Sequence, residues 1–176
     1  MAMANLLGEF ECRLDSKSRL ALPAALKKQF SPEAEGRFVI NRGFEKHLSL
    51  YPFNEWEIVT IELSRLNLYV KKNREFVRYF HRGATELTLD NSGRLLLPKR
   101  LLSYAGIKEE VILLAYANRI ECWDVALYDS VLAQEPVDFA KLAEEIMGDA
   151  GSSREQDRKK TPAFPDHPFQ QPFQRH

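Results

Sequence analysis

The sequence predicts an α+β fold of two similar lobes about a pseudo-twofold axis, and three observations lead there. Leu14 to Leu26 reads "LDSKSRLALPAAL", and the stretch Leu89 to Gly106, "LDNSGRLLLPKRLLSYAG", opens on the same Leu-Asp-x-x-x-Arg-Leu-x-Leu-Pro phrase. Apolar residues alternate on both sides of each charged tip, which is the period of a strand. Each phrase then runs through a proline into a helical pattern. Two copies imply two related lobes, since a solenoid needs about three or more repeats.

The elements follow in order. Cys12 and Leu14 alternate with Glu11 and Arg13, and Leu20 and Leu22 with Arg19 and Ala21; Leu87, Leu89, Leu95 and Leu97 repeat the pattern. The tips Asp15–Ser18 and Asp90–Gly93 hold Asp, Asn, Ser and Gly. Short polar side chains bond the local backbone and Gly tolerates positive φ, so each unit is expected to be a β-hairpin. Pro23 and Pro98 suit the first helical position, where a missing N–H costs nothing. They open "PAALKKQF" and "PKRLLSYAG", the second closed by Gly106 at C′. The repeat resumes after a gap, where "VINRGFEKHLSLYPFNEW" (39–56) parallels "VILLAYANRIECWDVALY" (111–128). Each of these reads as two strands about a polar turn, the second carrying an aromatic, Tyr51 or Trp123.

Between the copies Asn54 is expected to cap a helix in which Trp56, Val59, Leu63 and Leu66 recur at helical spacing. A second helix is expected over about 73–81, with Phe76, Val77 and Phe80 on one face. From about Asp149 the text turns Pro-rich, polar and unperiodic, which predicts disorder. The expected organisation is a first repeat over 5–53, a helical insert over 54–82, a second repeat with a C-terminal helix over 83–147, and a tail over 148–176.

Net charge is zero, yet residues 1–100 hold 17 basic against 12 acidic side chains and residues 101–176 hold 8 against 13. The sharpest acidic block is Glu121 to Asp149, where Lys141 is the lone base. Charges act over a Debye length of roughly 8–10 Å, so a local basic face can meet a polyanion on a neutral protein. No run of about 18 apolar residues is present, and "MAMANLLGEF" lacks a basic n-region and a long apolar h-region, so neither a membrane span nor a secretory signal is expected. Cys12 and Cys122 are too few for a disulfide framework and form no close-spaced metal motif, which suits reduced thiols in the cytoplasm. His47, His81, His167 and His176 are scattered, and no P-loop, G-x-S-x-G or H-E-x-x-H motif occurs. No metal, cofactor or small-molecule substrate is expected.

The doubled tip admits three accounts. In a purely structural one, Asp closes the turn and Arg pairs with it. In an enzymatic one, Asp15 and Asp90 would form a carboxylate dyad. Neither copy has an Asp-Ser/Thr-Gly triplet, however, and neighbouring cations would hold both acids ionised, whereas a dyad needs a shared proton. The chain is therefore not expected to be an enzyme. In the third account the tips bind nucleic acid: a two-stranded ribbon fits the major groove, and Arg can grip phosphate or the O6/N7 edge of guanine.

Here a resemblance enters. "LDSKSRLALP" and "LDNSGRLLLP", with "LYPFNEWE", "SRLN", "FHRGATE" and "ECWD", closely resemble the MraZ family over about residues 5–147. The resemblance implies a double AbrB-like, swapped-hairpin β-barrel fold. It also implies a ring-forming homo-oligomer that regulates transcription, chiefly by repression, of the division and cell wall gene cluster. Such a protein works in the cytoplasm, on the nucleoid, bound to promoter-proximal direct repeats of double-stranded DNA. The family's DNA-contacting arginines fall on Arg19 and Arg94, which Asp15 and Asp90 would orient, while Lys17, Arg13, Arg82 and Lys99 would add phosphate contacts. Two departures make the lobes unequal: Ser18 stands where Gly is usual, and Leu7 where a basic residue is common. The reading from another class is a ring-forming scaffold whose basic tips bind a protein partner.

Overall fold

In the computed structural model, which describes residues 5–134, 136 and 138–147, the alternating stretches become strands. Unit Met1–Ala133 runs β1 (Leu6–Arg13), β2 (Arg19–Ala21), α1 (Ala24–Lys27), β3 (Arg37–Arg42), β4 (Leu48–Pro52), α2 (Phe53–Ser64) and α3 (Lys71–Phe80), then β5 (Thr85–Thr88), β6 (Arg94–Leu96), α4 (Lys99–Ala105), β7 (Glu110–Ala117), β8 (Arg119–Asp124) and α5 (Val125–Leu132). Unit Gln134–His176 contributes helix α6, residues 139–147. The expected disorder of the tail falls on 148–176, outside the described residues.

The α+β class and the pseudo-symmetry hold, and the two halves are interleaved. All strand pairs are antiparallel, in a six-stranded sheet ordered β1-β7-β8-β4-β3-β5 and a two-stranded ribbon of β2 and β6. Exchanging β1 with β5, β3 with β7 and β4 with β8 reverses that order into itself, as a twofold axis between β4 and β8 requires. The first strand of each repeat thus pairs with the other repeat: Leu6–Arg13 lies along Arg13↔Glu110 to Leu6↔Ala117, and β5 lies on β3 from Thr85↔Ile40 to Thr88↔Arg37.

One core fills the space between sheet and ribbon. Leu20 and Leu95 from the ribbon, Leu26 and Leu101 from α1 and α4, and Phe38, Leu50, Leu113 and Ile120 from the sheet are among its buried members. Burying one such side chain stabilises by roughly 1.5–3 kcal/mol, so the alternating register is strongly specified. On the sheet's outer face, Tyr51 packs on Trp56 (5.5 Å between ring centroids), and Trp56 stacks on Phe80 (5.7 Å, 12°). Asn41 Nδ2 donates to the Phe80 carbonyl (2.9 Å), tying the end of α3 to β3. At the equivalent place in the second repeat Trp123 packs on Tyr128 (6.0 Å).

Three local expectations are corrected. The arms of each expected hairpin diverge into different sheets, and the first pair stays joined beside its turn, by the bridge Leu14↔Leu20 and the bond from Asp15 N to Arg19 O (3.0 Å). Pairing with β7 runs the whole length of β1, a longer ladder than a three-residue β2 could offer. Pro23 and Pro98 stand one position earlier than expected: with ψ of 139° and 126° they remain extended and act as N-caps. Pro52 takes the same boundary role before α2, so Asn54 lies inside the first turn, where its Nδ2 reaches Glu55 Oε1 (3.2 Å), and does not cap the helix.

Candidate nucleic-acid interface

The two tips meet because β2 and β6 pair with each other. Arg19 lies opposite Leu96, Leu20 opposite Leu95 and Ala21 opposite Arg94. Leu20 and Leu95 are fully buried, so alternation turns the flanking positions outward, and Leu96 and Ala21 are exposed. Arg19 and Arg94 therefore sit diagonally on one face, two residues or about 7 Å apart along the ribbon.

Within each tip the aspartate both shapes the turn and holds the arginine. Asp15 Oδ1 accepts the backbone N–H of Lys17 (2.9 Å) and of Arg19 (3.0 Å), while Oδ2 accepts Arg19 Nε–H at 2.6 Å. Asp90 repeats the arrangement with Ser92 N (2.9 Å), Arg94 N (3.0 Å) and Arg94 Nε (2.8 Å). Ser18 N and Gly93 N close the two turns onto Asp15 O and Asp90 O, each at 2.9 Å. The turns also interlock: Leu97 N donates to Ser18 O (3.0 Å), and Leu22 N to Gly93 O (3.3 Å). Arg94 Nη1 stands 3.9 Å from Asp15 Oδ2, so the four charged groups form one patch.

The arginines are held without being sealed in, with 29% of the Arg19 side chain and 31% of the Arg94 side chain exposed. The Arg19 backbone N–H, helped by the Arg19 side chain and the Lys17 N–H, holds the Asp15 carboxyl below its usual range against the opposing effect of desolvation. At Asp90 desolvation is the largest single influence and acts upward, but the bonds from Arg94 and Ser92 together bring the carboxyl below its usual range. Both acids are ionised at neutral pH, each beside its own arginine, which is the opposite of a proton-sharing dyad.

The other basic residues are spread more widely. Lys17 is exposed in the first turn, and Lys99 is exposed at the start of α4, three residues after Leu96. Arg13 is exposed at the end of β1 and is paired with Glu109. Arg82 precedes β5, at the end of that strand away from the 90–93 turn, with its guanidinium 5.9 Å from the Tyr79 ring. A residue the motif did not point to is Lys27, whose Nζ would stand 2.7 Å from a Cβ placed on Gly93. Its one available signal was the helical pattern after Pro23, which carries it a turn further on. The equivalent position in the second repeat is Leu102, which is buried, so this cation belongs to one tip only.

The tips differ in backbone comfort too. Ser18 and Gly93 occupy the same left-handed position, at φ 63° and 71°. Among the described residues, no group of three or more His, Cys, Asp or Glu side chains is placed to hold a metal ion, and no helix is long and apolar enough to cross a membrane.

Comparison with known proteins finds the same doubling. A family profile described as "MraZ protein, putative antitoxin-like" matches the chain twice, over residues 6–79 and 80–149. The transcriptional regulator MraZ of Christiangramia forsetii is 44% identical over 147 residues, spanning 83% of this chain and 95% of that protein. The proteins of the same name in Flavobacterium psychrophilum and Cytophaga hutchinsonii are 41% and 37% identical, over 83% and 80% of this chain and 94% and 93% of their own lengths.

Proposed function

Because the chain belongs to the MraZ family, we propose that it is a transcriptional regulator that binds double-stranded DNA sequence-specifically through the paired β2–β6 ribbon. The observation that carries this reading is the meeting of two aspartate-braced arginines on one outward-facing ribbon. A ribbon of two strands is an element the major groove admits, and an arginine whose Nε is already fixed loses less freedom on gripping a base edge or phosphate. Arg19 and Arg94 make the specifying contacts; Asp15 and Asp90 orient them. Lys17, Lys99, Arg13 and Arg82 add phosphate contacts.

In this reading residues 5–53 and 83–147 are the two repeats, 54–82 the insert and 148–176 a tail. The regulator acts in the cytoplasm, on the nucleoid, as a repressor of the division and cell wall gene cluster. One ribbon per chain is a small electrostatic footprint. A homo-oligomeric ring presenting several ribbons to tandem operator repeats gains about 10²- to 10⁴-fold in avidity without any new contact.

Gel shifts on the chain's own upstream region test this. Arg19→Ala and Arg94→Ala each weaken binding about 5- to 150-fold, as expected for loss of about 1–3 kcal/mol, with the oligomer mass unchanged. Duplexes with one, two and three repeats, titrated at two salt concentrations, bind with steeply rising affinity and marked salt dependence. Equal affinity across the series removes the ring argument. The absence of any shift, wild type included, favours a scaffold that binds protein.

A further inference from the structure

The chain carries two unlike apolar faces that the ribbon does not use. The first is on the insert and the loop beside it. Phe44 is 75% exposed, Tyr79 63% and Phe76 43%, and with Tyr51 and Phe80 they line a cavity of about 190 Å³ between α3 and the outer face of β3 and β4. Cavities near 150 Å³ accept a benzene ring, so this one has room for a single large apolar side chain. Arg42 also lines it, and the segment that carries α3 is basic: residues 65–82 hold Arg65, Lys71, Lys72, Arg74, Arg78 and Arg82 against Glu75.

The second face is α6. Asp138 caps it, its Oδ1 accepting Lys141 N at 3.0 Å. Phe139, Leu142, Ile146 and Met147 recur at helical spacing, and all are exposed, Phe139 and Met147 by 73% each. Asp138, Glu144 and Glu145 make this segment acidic, against Lys141. Exposed apolar surface rimmed by charge marks an interaction site, and these two faces match in both respects, knob for socket and acid for base.

We infer that α6 of one copy docks on the α3 face of a neighbouring copy, with one of its apolar side chains in the aromatic cavity. The two faces are different surfaces, so the contact is head-to-tail, and repetition closes a ring when the rotation per copy allows. A nine-residue helix makes a small interface, which closure of the ring strengthens because each copy is then held from both sides. This rests on the self-assembly in the reading above and is independent of its DNA contacts.

The test uses full-length chains at exposed positions. Lys71→Glu with Lys72→Glu disables one face, and Glu144→Lys with Glu145→Lys the other; circular dichroism checks that both variants remain folded. By analytical ultracentrifugation each variant alone falls from the wild-type mass to monomer, and the chain bearing all four changes regains assembly. A second pair, Tyr79→Asp and Ile146→Asp, is mixed in equal amounts. Each chain then retains one working face, so the mixture stops at a one-to-one dimer. Wild-type mass in any folded single-face variant overturns the proposal, and so does a mixture that stays monomeric, as it would if the helix docked on its own chain. A monomeric wild type overturns it too. Binding to a one-repeat duplex, unchanged in the face variants, reports separately on the DNA contacts.

Discussion

At the scale of single residues, the aspartates explain why the motif spaces Asp and Arg four apart. One carboxylate oxygen accepts two backbone N–H groups of its own turn, which leaves the other to take the arginine Nε. A shorter spacing would not complete the turn, and Glu would carry its oxygens beyond those N–H groups. The lowered carboxyl pKa values give a testable pH effect. A carboxylate depressed in the folded state contributes stability that is fully present above its unfolded value near 3.9, and that contribution is lost as pH falls through the folded value. The Asp15→Asn and Asp90→Asn double variant is expected to be less stable than wild type at pH 7, with the difference shrinking below about pH 4. Urea midpoints from pH 7 to pH 3 check it; a gap that stays constant down to pH 3 would rule this contribution out.

At the scale of elements, the turns and the ribbon set each other. Leu20 and Leu95 anchor it from below, and the cross-bonds Leu97 N to Ser18 O and Leu22 N to Gly93 O fix each turn against the strand leaving the other. The left-handed position in each turn is where the copies differ in strain, because a Cβ there costs about 1–2 kcal/mol. Gly93→Ala is expected to lower stability by about 1 kcal/mol, whereas Ser18→Gly is expected to be neutral or stabilising by up to about 1 kcal/mol. Lys27 does not reverse that order, since the atom nearest a new Cβ on Gly93 is the far end of a flexible side chain. Denaturant midpoints that rank the two substitutions the other way would show that the turns are not strained as their backbone angles imply.

At the scale of the molecule, strand exchange makes the repeats interdependent. β1 takes its hydrogen bonds from β7, and β5 from β3, so neither repeat alone satisfies its own first strand. Chains cut to 1–82 and 83–176 are expected to be unfolded as monomers and to regain cooperative unfolding when mixed or when two identical halves associate. Circular dichroism with sedimentation decides this, and a folded monomeric half would contradict it. The same interleaving bears on function, because it brings both tips to one ribbon instead of leaving them on separate lobes.

The repeat was legible by direct comparison of the two phrases, and the turn chemistry and the Asp–Arg pairing because each depends on residues within a few positions of one another. Pro23, Pro98 and Gly106 marked helix ends to within one residue for the same reason. The divergence of the expected hairpins, the β2–β6 ribbon and the place of Lys27 beside Gly93 were decided only in the folded chain. So was the place of Arg82, at the end of β5 away from the 90–93 turn. Those features come from pairings such as Leu6 with Ala117, far apart along the chain, where the winning register is the one that buries the most apolar surface while giving each strand a partner.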